Sequence, residues 1–415
     1  VEEDQAAKFD FDILDPTKII PEELVPVTEL GKMTLNRNPT NYFAETEQVM
    51  FQPGHIVRGV DFSEDPLLQG RIFSYLDTQL NRHGGPNFEQ LPINAPISAV
   101  HNNNRDGAGQ MFVHANQYPY SPNTFTPLKQ ANRTHGRGFF TSPSRKVSGA
   151  ITRVRSQSFD DVYTQPRLFF NSLHPTEQQF LVNAISFETS QLQSEVVKQN
   201  VLIRLNQVDH GIARKVAEVL NLQVPEPDSE YYHDNTTMGV SVVERLLPSL
   251  DGFKVAYLTT VENAGAASNT KASLAEENVE LVVIAERLGA DIDKTYSTGD
   301  ATAFDGIIVG EGASSLFGMN VSAITGALFP AGRPTQIVLD GFRYGKPIGF
   351  ADETILQSAP GLSSHVSGPG VYVQGQEYSR GGEGVSTVAD LAAAMKNGLR
   401  QFKFLERFAA YEPSL

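Results

Sequence analysis

The sequence predicts two architectures in tandem: an α+β portion, then an α/β doubly wound domain. Three observations predict this. Apolar runs broken by Pro and Asn fill residues 1–165, with a single helix candidate among them. Helical periodicity takes over from Pro166 to about Leu222. From Phe253 onward, short β-rich runs alternate with helical segments, which is the pattern of a parallel sheet.

Along the chain, FDFDIL from Phe9, ELVPVTELGKMTLNR from Glu23 and NYFAETEQ from Asn41 read as short strands and turns. Pro16, Pro21, Pro26 and Pro39 forbid a long helix here. One helix is predicted from Pro66 to about Asn81, with Pro66 in its first turn and Gly84-Gly85 as its stop. The stretch from Gly84 to Gln165 is rich in Pro, Asn and Gly. A segment of that length without regular structure reads as functional or wrapped on a partner.

The next segment, 166–222, predicts three or four helices. Phe180, Ala184 and Phe187 share one face, with Leu181 and Ile185 beside it. Val197, Val201 and Leu205 repeat the spacing, as do Ile212, Val216 and Leu220. Residues 223–252 form a polar, Pro-bearing linker. In 253–415 the predicted strands are FKVAYLTTV, NVELVVIAE, FDGIIVGEG, KPIGFAD and GVYVQG. Helices are expected over Thr270–Asn278, Gln336–Tyr344 and Thr387–Phe408.

Composition narrows the function classes. Hydrophobic residues make up 40% and charged residues 20% of 415, an ordinary globular balance that can bury a large core. The net charge of −15 argues against nucleic acid and anionic membrane as partners. No run approaches the ~18 apolar residues of a membrane span. With no cysteine, disulfides, zinc-thiolate sites, cysteine nucleophiles and thiolate-ligated iron are excluded. The first residues, VEEDQAAKFDFD, are neither a signal peptide nor a tag, and read like the middle of a longer chain.

The sharpest local signal is GRIFSYLDTQLNRHGG, from Gly70 to Gly85. Arg71 and Tyr75 are four residues apart on one helix face, and Arg82 falls on roughly the same side. A cation one turn from a phenol lowers its pKa, and a metal lowers it further. Spacing alone leaves a plainer reading open, with Tyr75 a core aromatic and both arginines ordinary surface residues.

The letters themselves resemble the haem-ligand signature of monofunctional haem catalases, RxFSYxDT. FDFDILDPTKIIPEELVPV, KMTLNRNPTNYFAETEQ, FQPGHIVRGVDFSEDPLLQGR and GGPNFEQLPIN also resemble the catalase core. The later helices and the α/β tail are similar to the large-subunit branch. The resemblance implies that 1–165 is the C-terminal part of the catalase β-barrel with the haem-ligand helix and wrapping loop. It implies that 166–222 is the α-helical segment, and that 253–415 is a flavodoxin-like domain related to the DJ-1 and glutamine-amidotransferase group.

The same resemblance implies haem, b or d, with Tyr75 as the axial ligand of the iron and Arg71 paired to its phenolate. It places Arg82 at a haem propionate, and Phe51, Leu67, Ser74 and Gln79 along the proximal face. Gln79 stands where small-subunit members carry His. Gln52 stands where some large catalases carry a His joined to the ligand tyrosine, so that bond cannot form here. The family's distal His and Asn have no counterpart in this sequence and are expected upstream of Val1. His55, His101, His114 and His135 lie in loops and read as structural or exposed.

The implied activity is disproportionation of hydrogen peroxide to water and dioxygen by a homotetramer, with the remaining part of the subunit a separate chain or a missing piece. A rival reading is a non-catalytic fragment whose α/β domain acts as an interaction or chaperone-like module. A third, a hydrolase on the α/β domain, is opposed by the turn GFADET, which has neither Cys nor a GxSxG elbow. GEGASSLF nearly matches a dinucleotide fingerprint, but Ser315 occupies the third Gly position, and a tight strand–helix turn is the preferred reading. Sequons at Asn132, Asn235 and Asn320, with a resemblance strongest to fungal members, point to a secreted, glycosylated, extracellular or cell-wall enzyme.

Overall fold

Parallel strands covered on both faces need unbroken apolar runs rather than alternation, and residues 254–388 supply them. The computed structural model describes residues 1–57, 59–97, 106–113, 148–150, 152, 154–155, 157–317, 328–358, 366–375 and 386–408. The chain divides into two compact units. One comprises Val1–Ile20 and Val25–Val162; the other comprises Pro21–Leu24 and Tyr163–Leu415.

In the first unit, a short helix α1 (Glu3–Ala6) precedes irregular chain, and α2 (Pro66–His83) is the main regular element. The strands expected from Phe9, Glu23 and Asn41 are not formed among the described residues. Leu30 is 99% and Leu35 89% exposed, so this apolar text has found no neighbouring strand. A β-strand leaves its N–H and C=O groups for a partner to satisfy, so a strand-like sequence without one stays extended coil. The third stretch becomes a π-helical turn, Phe43–Glu47. Glu45 drives it by accepting from the backbone N–H of Thr40 (2.8 Å) and Asn41 (2.7 Å). Lys18 closes the unit's ends, donating to the carbonyls of Ser158 (3.0 Å) and Asp161 (2.9 Å).

In the second unit four helices come first: α3 (Thr164–Ser172), α4 (Pro175–Ser190), α5 (Glu195–Val208) and α6 (His210–Leu220). The starts of α4, α5 and α6 carry side-chain caps, while α3 begins at Tyr163 without one. His174 and Glu177 make a capping box for α4, and Ser194 and Asp209 cap α5 and α6. The predicted face of α4 needs correction. Val182 is buried, whereas Phe187 is 66% exposed. Val182, Leu202, Ile212, Val216 and Ala217 form the cluster, with the expected Ile185, Leu205 and Leu220 packed against it, so the stripe of α4 centres on Val182 and leaves Phe187 outside. Phe180 instead meets Phe408 edge-on, with ring centroids 5.2 Å apart, a contact that sequence spacing cannot reveal.

The α/β part holds a parallel sheet of seven strands in the order β3-β2-β1-β4-β5-β6-β7. These are β1 (Lys254–Leu258), β2 (Glu280–Ala285), β3 (Lys294–Thr295), β4 (Gly306–Val309), β5 (Ile348–Phe350), β6 (Val371–Gln374) and β7 (Ser386–Val388). The order reverses at β1, as in doubly wound folds. Ala256, Leu258, Ile284, Ile307 and Val309 face one layer, while Val255, Tyr257, Val283 and Ile308 face the other.

Helices α7 (Ser268–Ala275), α8 (Ser314–Phe317), α9 (Arg333–Arg343), α10 (Glu353–Ser358) and α11 (Leu391–Gln401) connect and cover the sheet. α9 packs so close that a Cβ on Gly341 would lie 2.2 Å from Ile307 Cδ1. Sequence reading missed β3 and β7, which have two and three residues and little apolar text. It also began the last helix too early. Thr387 belongs to β7, and α11 starts after Asp390, whose carboxylate accepts from Ala393 N–H at 3.0 Å.

Candidate functional site

The candidate site is built on α2. Asp65 caps it by accepting from Leu67 N–H at 2.8 Å, Pro66 fixes its first turn, and Gly84 ends it at φ 71°. Gln79 is the buried residue of this helix. It donates from Nε2 to the carbonyl of Phe51 at 2.9 Å, while its buried Oε1 has no partner among the described residues. That bond ties the helix to the segment before it. Asn94 fixes the same segment, accepting from Met50 N–H at 2.8 Å and donating to the carbonyls of Gln48 (2.9 Å) and Phe88 (3.1 Å). Gln52 is buried and accepts from Gly54 N–H at 3.0 Å, as a hydrogen-bonded loop residue does.

These anchors bring three predicted residues together. The Phe51 ring stands edge-on to Tyr75, with centroids 5.8 Å apart and planes at 81°. The Arg71 guanidinium lies 5.2 Å from the Tyr75 ring centroid and 6.0 Å from that of Phe51. A cation at this distance from two aromatic faces is held by their quadrupoles. Tyr75 is half-buried, whereas Phe51 is 61% and Leu67 51% exposed. Ser74 is exposed, and its carbonyl accepts from Thr78 Oγ1 at 2.9 Å. Arg82 stands apart, donating to the carbonyl of Glu47 and lying 3.4 Å from its carboxylate.

Sequence reasoning missed Asn94, Glu47 and Asn87. Asn87 Nδ2 faces the carbonyls of Asp106, Gly107 and Ala108 at 3.1–3.2 Å. Asn and Glu in a loop look alike whether they anchor it or face water. His55 pairs with Glu89 at 2.9 Å and stacks on Phe88. His101, His114 and His135 lie outside the described residues, as do Asn132 and Asn320; Asn235 is exposed.

Comparison with known proteins gives these residues a setting. The catalase profile matches residues 1–127, the profile of a C-terminal domain found in long catalases matches 251–409, and the catalase-related immune-responsive profile matches 156–220. Catalase B of Aspergillus oryzae is 56% identical over 98% of this chain. Catalase-3 of Neurospora crassa is 51% identical over 99% of it. Catalase HPII of Pseudomonas putida is 38% identical over 83%.

The chain belongs to the large-subunit catalases. It spans 56% of the length of Catalase B and 55% of Catalase-3. Family membership implies haem as cofactor, and the donor set on α2 fits that group. A phenol whose ring carries a guanidinium offers an oxygen that suits a trivalent iron, and exposed Phe51 and Leu67 offer apolar surface to a flat macrocycle. Arg82 could reach an anionic edge only by leaving Glu47. Among the described residues no His, Cys, Asp and Glu group has metal-site geometry, and no helix is long and apolar enough to cross a membrane.

In the α/β part of this catalase chain, the two loops that prompted alternative readings have packing explanations. Gly312 has φ 77°, and a Cβ there would lie 2.3 Å from Asn263 Nδ2. Packing around a tight turn thus accounts for this glycine of GEGASSLF. In GFADET, Asp352 Oδ1 accepts from the N–H groups of Thr354 (2.6 Å) and Ile355 (3.2 Å), capping α10.

Proposed function

We propose that this chain is the proximal part of a haem catalase that disproportionates hydrogen peroxide to water and dioxygen. The observation that carries this reading is the grouping of Arg71 and Tyr75 on one face of α2, with Phe51 of the preceding segment packed against them, within the catalase match. Tyr75 would ligate the haem iron through its phenolate oxygen. Arg71 would stabilise that charge from one helical turn away, and Phe51, Leu67, Ser74 and Gln79 would line the proximal face. Arg82 would exchange Glu47 for a propionate, a charge-assisted pair of similar kind. When bound, the haem, b or d, supplies the two-electron redox chemistry of the peroxide cycle.

The protein's own contribution on this side is an anionic oxygen held in place and an apolar cover that limits water. The distal acid–base groups are assigned to polypeptide outside residues 1–415. The assembly would be a homotetramer, secreted or in the cell wall, and glycosylated at Asn132, Asn235 and Asn320.

Haem titration followed by absorbance in the Soret region tests the ligand assignment in the full subunit. Tyr75→Phe keeps the ring and removes the oxygen, so haem should be lost or bound with an altered spin state. Arg71→Leu should keep haem while the phenolate loses a charge-assisted partner worth about 1.5–3 kcal/mol. A Tyr75→Phe spectrum identical to that of the unmodified protein would overturn the assignment. This chain by itself should show negligible oxygen evolution from peroxide; turnover near that of an intact catalase would place the acid–base groups within residues 1–415.

A further inference from the structure

A second cavity, of about 590 Å³, lies in the unit that holds the parallel sheet. Its wall is mostly apolar: Phe180 and Val242 on one side, with Tyr344, Phe402, Leu405 and Phe408 on the other. Phe180 is 43% exposed and Phe408 meets it edge-on at 5.2 Å, so aromatic surface is offered rather than spent in the core. Three cations, Arg343, Lys346 and Lys403, border the same space.

The charges do not cancel. Lys346 is buried and donates to the carbonyls of Ala301, at 2.7 Å, and Phe304, so its ammonium is held by neutral acceptors. Burial pushes the Lys346 ammonium below its usual range, and nearby Lys403 pushes it further. Lys403 is half-buried, and burial lowers it as well. Its ammonium sits 5.2 Å from the Phe402 ring centroid and forms no ion pair with a carboxylate among the described residues.

The neighbouring carboxylates are engaged elsewhere. Asp305 accepts from Lys254 N–H at 2.8 Å, and its charge steadies Lys403 from beyond ion-pair distance, against the effect of burial. Glu177, on the cavity wall, accepts from His174 N–H at 2.9 Å and Val242 N–H at 3.0 Å. Arg343 reaches only Asp340, at 3.7 Å. A half-buried ammonium with no carboxylate in ion-pair contact among the described residues is incompletely stabilised, and an anion delivered on an apolar body would relieve it. The cavity's size lies within the range of small-molecule sites, which combine an apolar wall with a few polar anchors.

We propose that this cavity binds a small apolar monocarboxylate, its carboxylate on Lys403 and its chain or ring against Phe180, Tyr344 and Phe408. The ligand class follows from the excess of cations over carboxylates on the wall, three against the single carboxylate of Glu177, beside aromatic surface. Neither the haem chemistry nor the tyrosine site enters the argument.

Isothermal titration of the full chain tests it, using octanoate and 3-phenylpropanoate as probes and octyltrimethylammonium as the cationic comparator. Both carboxylates should bind, and the cation should bind at least about tenfold more weakly. Lys403→Met keeps the apolar stem and should weaken octanoate binding by about tenfold or more. Lys403→Arg, which retains the charge, should stay within about threefold. Circular dichroism melts show whether each variant is folded. Equal affinity for octanoate and octyltrimethylammonium, unchanged octanoate affinity in folded Lys403→Met, or no heat at millimolar carboxylate would each overturn the proposal. If Lys403→Met fails to fold, Val242→Trp carries the test: filling the mouth should abolish binding, and retained binding overturns the site.

Discussion

Two stretches of this chain carry similar β-rich text and end differently. ELVPVTELGKMTLNR, from Glu23, leaves Leu30 and Leu35 in water, while NVELVVIAE, from Asn278, becomes β2, with Leu281 through Ala285 buried. Propensity separates them only in part, through Pro26 and Gly31 in the first. What differs is the supply of partners. β2 pairs with β1 on one side and β3 on the other, and helices cover both faces. The first stretch has no ladder to join among the described residues, and Pro26 and Gly31 also weaken it as a strand. β-propensity measures fit to a pleated, half-buried surface, and where that surface is missing it expresses little.

The comparison can be broken most sharply in the sheet. Ile308 is fully buried in β4. Ile308→Ala should cost about 2–5 kcal/mol, seen as a lower urea midpoint of the α/β circular dichroism. A loss under about 1 kcal/mol would mean the sheet is less well packed than its burial indicates. Gly341→Val tests the close approach of α9, because its first carbon already meets Ile307. Overpacking of this kind costs about 1–3 kcal/mol. A neutral result would show that the helix shifts freely.

In the first unit the sharper probe is pH. Burial alone would raise the Asp15 carboxyl, but hydrogen bonds from the Thr17 hydroxyl and N–H, and from Ser158, with the Lys18 cation, outweigh it. Together they hold it down to about 2. A depressed carboxylate stabilises the folded form above its unfolded pKa, and that contribution is lost as pH falls through the folded value. The protection factors of the amides of Leu14, Asp15, Thr17 and Lys18, taken relative to the intrinsic exchange rate at each pH, should therefore fall between about pH 4 and pH 2, and Asp15→Asn should remove the pH dependence. Protection that stays flat over that window in the unmodified chain would sink the assignment. The smallest effect is expected at Leu30. Leu30→Ser should change the stability of this chain by less than about 0.5 kcal/mol, because the side chain is already in water. A larger loss would reveal a partner for that segment.

Much of the candidate site was legible in the sequence because a helix converts spacing into a face. Pro66 and Gly84 bounded α2, and the four-residue interval put Arg71 beside Tyr75. Two features were not legible. Nothing in the spacing shows that Gln79 reaches back to the Phe51 carbonyl, or that Arg82 is claimed by Glu47, because the partners are 28 and 35 residues apart with irregular chain between them and α2.

The sequence by itself determined the local elements and the family. Caps, prolines and glycines act over one helical turn, and a fifteen-residue text such as GRIFSYLDTQLNRHG is specific in itself. It also determined that the strands of the α/β part would be buried on both faces, since continuous apolar runs are stable nowhere else. The tertiary structure decided which β-rich text became strand, which stripe of α4 faced inward, and where Phe180 found Phe408. Those outcomes depend on partners distant in the chain. Their free energy comes from surfaces that exist only once other elements are in place.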